Sequence, residues 1–285
     1  MNVIQISHYK SEFLAFYRFA QHLDSEDQEL FNLWKTHYGF NPYLKEDPKN
    51  QLAKEMIKRA FPKYSTILSQ IESFEPDFGM VRRYVSLVQD ELKSYEPLHL
   101  SVVFFIGDFD TDAFIEKATS ESYILYFPIE KPWQDVHLVQ ELAKVVYLNQ
   151  TKANPYPPKN IAHAIFIEGL SLHTAVKTTA AEFKTMALYP WMSSCNKEPN
   201  RIMINLLPHM RRTDYKALYS FTKGTGASGY LNEASFAGWN VIHHLLNNED
   251  TLSELVKTPE ENITGLVERT LHRVIEESTY ISSKE

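Results

Sequence analysis

The 285 residues are 44% hydrophobic and 13% aromatic, enough for a sizeable core and too apolar for a disordered chain. A net charge of −7 argues against a dedicated nucleic-acid binder, which needs a basic surface for phosphates. The single cysteine, Cys195, excludes an intramolecular disulfide and a cysteine-based zinc site, and no run approaches the roughly 18 apolar residues of a spanning helix.

The first segment, MNVIQISHYKSEF, lacks a basic stretch followed by an apolar run, so no signal peptide is expected, and a cytoplasmic location follows. Residues 1–95 read as helices with short breaks. An aromatic-rich amphipathic segment spans 11–21. Ser25-x-x-Gln28 is a capping-box pattern opening a helix that Gly39 can close. Asn41-Pro42 and Asp47-Pro48 mark turns, Pro48 starts a helix to residue 60, and Phe61-Pro62 is expected to break it. Further helices fit 63–74 and 76–95. LHLSVVFFI (98–106) and SYILYF (122–127) are strand candidates bounded by Pro97, Gly107 and Pro128. A helix at 133–150 follows, then a proline-stiffened loop holding Pro155, Pro157 and Pro158, and a second helix at 160–179. Beyond it come a helical stretch at 182–188, a Tyr-Pro-Trp turn, a helix at 201–221, a glycine-rich loop KGTGASGY (223–230), a helix at 233–246, and a last helix opened by Thr258-Pro259-Glu260-Glu261 and running to residue 278. The expected fold is α+β and mainly helical, with a small sheet followed by a helix pair. Residues 1–97 form an N-terminal helical region and 98–285 the α+β region, as two domains or one continuous one.

The two central helices carry the functional information. At 100° per residue, His137, Gln140, Glu141 and Lys144 fall within about a 100° arc, while Val136, Leu138, Val139, Leu142, Ala143, Val145, Val146 and Tyr147 fill the rest. A helix this apolar is mostly buried, so the stripe faces solvent, with ordinary helix-surface pairs, or a cleft. On the next helix Ile161, Ala164, Ile165, Leu172, Ala175 and Val176 surround Glu168 at helical spacing. A carboxylate in that company takes a proton, finds a cation or binds a metal, unless it reaches the surface at a kink beside Gly169.

The remaining candidates have plainer readings. His163, His173 and the adjacent His243 and His244 suit hydrogen-bonded structural roles, and the basic cluster at 209–212 suits a helix surface. The loop at 223–230 lacks the Gly-Lys-Ser/Thr of a phosphate loop, and is either a mobile cover over a cleft or a connector. No Gly-x-Ser-x-Gly elbow is present.

Gln140-Glu141-Leu142-Ala143-Lys144 occupies the place of an H-E-x-x-H helix, and Glu168-Gly169-Leu170 that of the Glu-Gly-Leu-Ala segment of glutamate-type zincins. SFAGWNVIHHLL from Ser235 and TLSELVKTPEENI from Thr251 are similar to the closing helices of a bacterial group of predicted zinc-dependent proteases. The chain thus resembles that gluzincin-like family over about residues 98–275. The resemblance makes Glu141 the catalytic base and Glu168 the third metal ligand, with Gln140 and Lys144 standing where the two histidine ligands belong. Gln is a poor zinc ligand and Lys is cationic at neutral pH.

The expectation is that Lys144 and Glu168 form a buried pair replacing zinc. This leaves a metal-free cleft with Gln140 and Glu141 exposed and no cofactor. Such a protein would bind a peptide or protein partner, for example by strand addition at the sheet edge, and neither nucleic acid nor membrane. Two alternatives stand beside it. One is an active zinc metallopeptidase with atypical ligands, in which His137, Glu141 and Glu168 hold a shifted zinc ion. The other is a helical interaction module working through its aromatic-rich first 95 residues.

Overall fold

Long apolar helices and a few β-branched runs build an α+β molecule, mainly helical, seen in a computed structural model that describes residues 2–23, 27–40, 51–131, 134–153, 158–181 and 189–282. The chain divides into two compact units, one of residues 1–79, 99–118 and 122–133, the other of residues 80–98, 119–121 and 134–285.

The first unit is organised on a four-stranded sheet, β1 (Val3–His8), β2 (His99–Phe105), β3 (Phe114–Lys117) and β4 (Ser122–Pro128), in the order β1-β2-β4-β3. β1 and β4 run parallel to β2, with Val3 opposite His99 and His99 opposite Ser122, and β3 returns antiparallel to β4 with Phe114 opposite Tyr126. Alternation puts Leu100, Val102 and Phe104 of β2 in the core. Four helices complete the unit: α1 (Lys10–Ala20), α2 (Asp27–His37), α3 (Gln51–Tyr64) and α4 (Leu68–Ser73). Phe13 and Phe16 of α1 are fully buried, and Phe13 meets Tyr64 edge-on at 4.8 Å. Gly39 ends α2 as expected, at φ +62°, with its N–H on the Trp34 carbonyl.

Two expectations for this stretch are corrected, and one strand is additional. Residues 3–8 are a strand, because VIQISH alternates along an edge paired with β2. Residues 114–117 form a strand too short to announce itself. Pro62 lies inside α3, in its last turn, and does not break it: Pro62 and Lys58, whose carbonyl loses its helical donor, are both on the exposed side. Ser25 of the capping box, the turns at 41–48 and the start of the helix expected from Pro48 lie outside the described residues.

The second unit is helical: α5 (Phe78–Leu92), α6 (Asp135–Thr151), α7 (Ile161–Thr179), α8 (Pro190–Cys195), α9 (Pro199–Leu206), a 3-10 turn (Leu207–His209), α10 (Tyr215–Thr222), α11 (Glu233–Asn247), α12 (Leu252–Leu255) and α13 (Glu260–Ser282). α7 is buried over most of its length and packs against α6, α11 and α13. The Asn160 carboxamide caps it by accepting from His163 N at 3.0 Å. Its contact with α11 is glycine on glycine: a β-carbon on Gly169 would sit 2.1 Å from the Gly238 carbonyl oxygen, and one on Gly238 would sit 2.2 Å from that of Ile165. Neither position therefore has room for a side chain.

Here too the local reading needs correcting. Tyr189-Pro190-Trp191 starts a helix, with Pro190 in its first turn. The single helix expected at 201–221 is broken at Pro208, and Asp214 caps a new start by accepting from Ala217 N at 3.0 Å. The stretch at 182–188 and Pro155 and Pro157 lie outside the described residues. Among the described residues no helix is long and apolar enough to cross a membrane.

Candidate functional site

The polar stripe of α6 does not face water. Gln140 is 8% exposed, and the side chains of Lys144, Glu141 and Glu168 are 11, 12 and 15% exposed. This corrects both the solvated-face reading and the expectation that Gln140 and Glu141 stand open. The cluster is nearly closed, with a small accessible edge.

Lys144 is its centre. Its Nζ lies 2.8 Å from Glu168 Oε1 and 2.9 Å from Glu141 Oε1, so one ammonium serves two carboxylates. The other oxygen of Glu168 accepts from Gln140 Nε2 at 3.2 Å and from Ser235 Oγ at 3.3 Å. The Gln140 amide oxygen in turn accepts from the Tyr189 hydroxyl at 2.8 Å. Side chains from α6, α7 and α11, with the residue just before α8, thus form one connected network. Burial opposes the charge on both partners of the central pair. For Lys144 burial pulls the ammonium pKa down, but Glu141 and Glu168 outweigh it and hold the proton more tightly than usual. For Glu168 burial pushes up, but Lys144, Lys223 and the hydrogen bonds from Lys144 and Ser235 keep the carboxyl below its ordinary range. Burial, with Glu141 adding to it, also raises the Tyr189 hydroxyl well above its usual range.

His137 shares the stripe but performs a different task. Its Nδ1 accepts from the Gln134 backbone N–H at 2.9 Å, closing the cap of α6, and its ring meets Tyr189 edge-on at 4.9 Å. His163 and His173 are structural in geometry. His163 Nε2 donates to the Glu260 carbonyl at 3.1 Å. His173 stacks on Trp239 at 3.7 Å and donates to its carbonyl at 3.0 Å, and burial takes its ring down to about 4. Burial pushes the Cys195 thiol up to about 11, far from a reactive thiolate.

The residues at the cluster do not fit a zinc ion. The ammonium of Lys144 fills the space between the two carboxylates and would repel a second cation, and both ends of the Gln140 amide are engaged. Among the described residues no group of three or more His, Cys, Asp or Glu side chains is placed to hold a metal ion, and His137 Nδ1 is taken up by the cap of α6.

Three participants escaped the sequence. Tyr189, 49 positions beyond Gln140, and Ser235, 67 beyond Glu168, complete the network, and nothing local marks them. Glu233 fastens the glycine-rich loop from within: its Oε1 accepts from Ser228 N at 2.8 Å and Tyr230 N at 3.1 Å, and a β-carbon on Gly226 would sit 2.4 Å from its carboxyl group. Burial raises the Glu233 carboxyl, against the pull of the backbone donors. The carboxylate thus ties Ser228 and Tyr230 of the loop to the start of α11. No family model, curated protein or solved structure matches the chain.

Proposed function

We propose that this is a peptidase-like protein that has lost its zinc ligands and uses the remaining cleft to bind a peptide or protein partner. One observation supports the reading. Gln140 and Lys144 both reach the carboxylate of Glu168, and Lys144 also reaches Glu141. These are the four positions that an H-E-x-x-H helix and a distant glutamate bring together around a metal. With a lysine at their centre, Glu141 serves as an ion-pair partner in place of a base, and a partner would meet the cluster only at its small accessible edge. β1 and β3 stand at the edges of the sheet, and an edge is where an added strand gains backbone hydrogen bonds.

The test is to restore the ligands. The double variant Gln140→His/Lys144→His, folded by circular dichroism, is expected to retain one zinc per chain after dialysis, while the parent retains none. Any peptide hydrolysis it gains should disappear on adding Glu141→Gln, with zinc kept. A folded double variant without zinc affinity would remove the basis of the proposal. So would a parent protein that carries stoichiometric zinc and cleaves peptides in a Glu141-dependent way.

A further inference from the structure

The glycine-rich loop is a hairpin held together by its own bonds. Gly226 N donates to the Tyr230 carbonyl at 2.9 Å, Thr225 and Leu231 pair as an antiparallel bridge, and Asn232 N donates to the Gly224 carbonyl at 3.4 Å. Burial alternates along it: residues 225, 227, 229 and 231 are exposed, and 226, 228 and 230 between them are wholly or partly covered. A hinge position stands at each end. Gly224 carries no side chain, and Asn232 sits at φ +57°, in the left-handed region that asparagine tolerates better than most residues.

The covered side of the hairpin meets a carboxylate. Glu233 is fully buried, and its Oε1 accepts from Ser228 N at 2.8 Å and from Tyr230 N at 3.1 Å. A tie to α9 runs through Ser228 Oγ, which accepts from Asn205 Nδ2 at 3.1 Å. The other oxygen of Glu233, Oε2, is buried with no hydrogen-bond partner among the described residues. Closing the hairpin therefore gains two bonds to a charged acceptor and strips its second oxygen of water, so gain and cost oppose each other. Opening returns that oxygen to water. Glu233 thus closes the hairpin without locking it.

The same turn of α11 reaches the ion-pair cluster. Ser235, two positions after Glu233, donates to Glu168 Oε2 at 3.3 Å. Lys223, at the foot of the hairpin, is near enough to Glu168 for its charge to hold that carboxyl down. We infer that the hairpin is a flap at the accessible edge of the cluster, with Gly224 and Asn232 as hinges, Glu233 as the latch, and Lys223 as the charge that the latched flap keeps beside Glu168. Unlatching turns Lys223 away and opens Glu168 to an incoming group. The flap controls access to the site proposed above, and it rests on that reading for the partner whose access it controls.

The experiment uses the full chain at a single pH and two readouts: amide exchange of Ser228 and Tyr230 by NMR, and labelling of Glu168 with a carbodiimide and glycine ethyl ester, followed by mass spectrometry. Glu233→Ala, checked for folding, should speed exchange of both amides at least about tenfold, because two bonds to a charged group are lost. It should also label Glu168 several-fold faster. Gly226→Ala is the second route to the same state, since its methyl group takes the room of the Glu233 carboxyl, and it should repeat both effects. Glu233→Gln keeps an acceptor oxygen, so both readouts should stay as in the parent. Lys223→Gln should speed Glu168 labelling while the two amides exchange as slowly as before. Parent-like amide exchange in folded Glu233→Ala or Gly226→Ala would overturn the latch. Unchanged Glu168 labelling in those variants or in Lys223→Gln would overturn the link to the cluster. Neither readout involves a metal, so such a failure stands apart from the outcome of restoring the zinc ligands.

Discussion

Lys144 is the side chain on which the polar interior of the second unit depends. Removing it leaves Glu141 and Glu168 mostly buried with no charge between them. Breaking a buried pair in this way costs about 3–5 kcal/mol. Lys144→Met should lower the unfolding free energy read from urea titration by that amount, with a lower midpoint, and adding Glu168→Gln should return part of it, since the amide carries no charge to strand. An unchanged midpoint in Lys144→Met would mean that solvent already screens the cluster. The contribution of Glu168 has a definite sign with pH. Its folded pKa lies below the unfolded one, so the stability is whole above the ordinary carboxylate range and is lost as pH falls through the lowered value. Helical arithmetic was enough to put positions 137, 140, 141 and 144 on one side of α6. It did not reveal what covers that side. Tyr189 and Ser235 do so from far along the chain.

Among the elements, the crossing of α7 and α11 is the tightest fit. Gly169→Ala drives a methyl group into the Gly238 carbonyl, so the helices must separate. Overpacking against backbone should destabilise by about 3 kcal/mol or more, read as a lower melting temperature in calorimetry. Gly79→Ala, where the nearest atom is a flexible Asp77 carboxyl oxygen at 3.2 Å, is the control that should change little. Elements were legible where composition and punctuation agreed. β2 and β4 are β-rich runs ended by proline or glycine, and they form as expected. β1 escaped because its six residues become a strand through a partner more than ninety positions away. Pro62 misled because it falls in the last turn of α3 and on its exposed side, where the lost hydrogen bond and the bend it imposes disturb little of the helix.

For the molecule as a whole, buried titratable groups give the two units opposite responses to pH. In the first unit burial pushes the Glu130 carboxyl up to about 7 against an ordinary 4.5. The folded state therefore holds the proton more tightly, and about 3 kcal/mol of stability is lost as pH rises from 4.5 through 7. In the second unit His173 titrates at about 4 against 6.5, so its contribution is full above 6.5 and falls away as pH drops through 4, again by about 3 kcal/mol. Hydrogen exchange, corrected for intrinsic rates, should show the sheet unit losing protection from pH 5 to 8 and the helical unit gaining it. Glu130→Gln should flatten the first trend alone, and a common trend in both units would contradict these environments. The sheet also sets a timetable. Val3 pairs with His99, 96 positions later (99 less 3). At ribosomal speeds of about 5–20 residues per second, β1 waits on the order of ten seconds for the strand it must join. Such a wait exposes a hydrogen-bonding ribbon to any other nascent chain nearby, so the yield of correctly folded protein should be governed by what shields those first residues during synthesis.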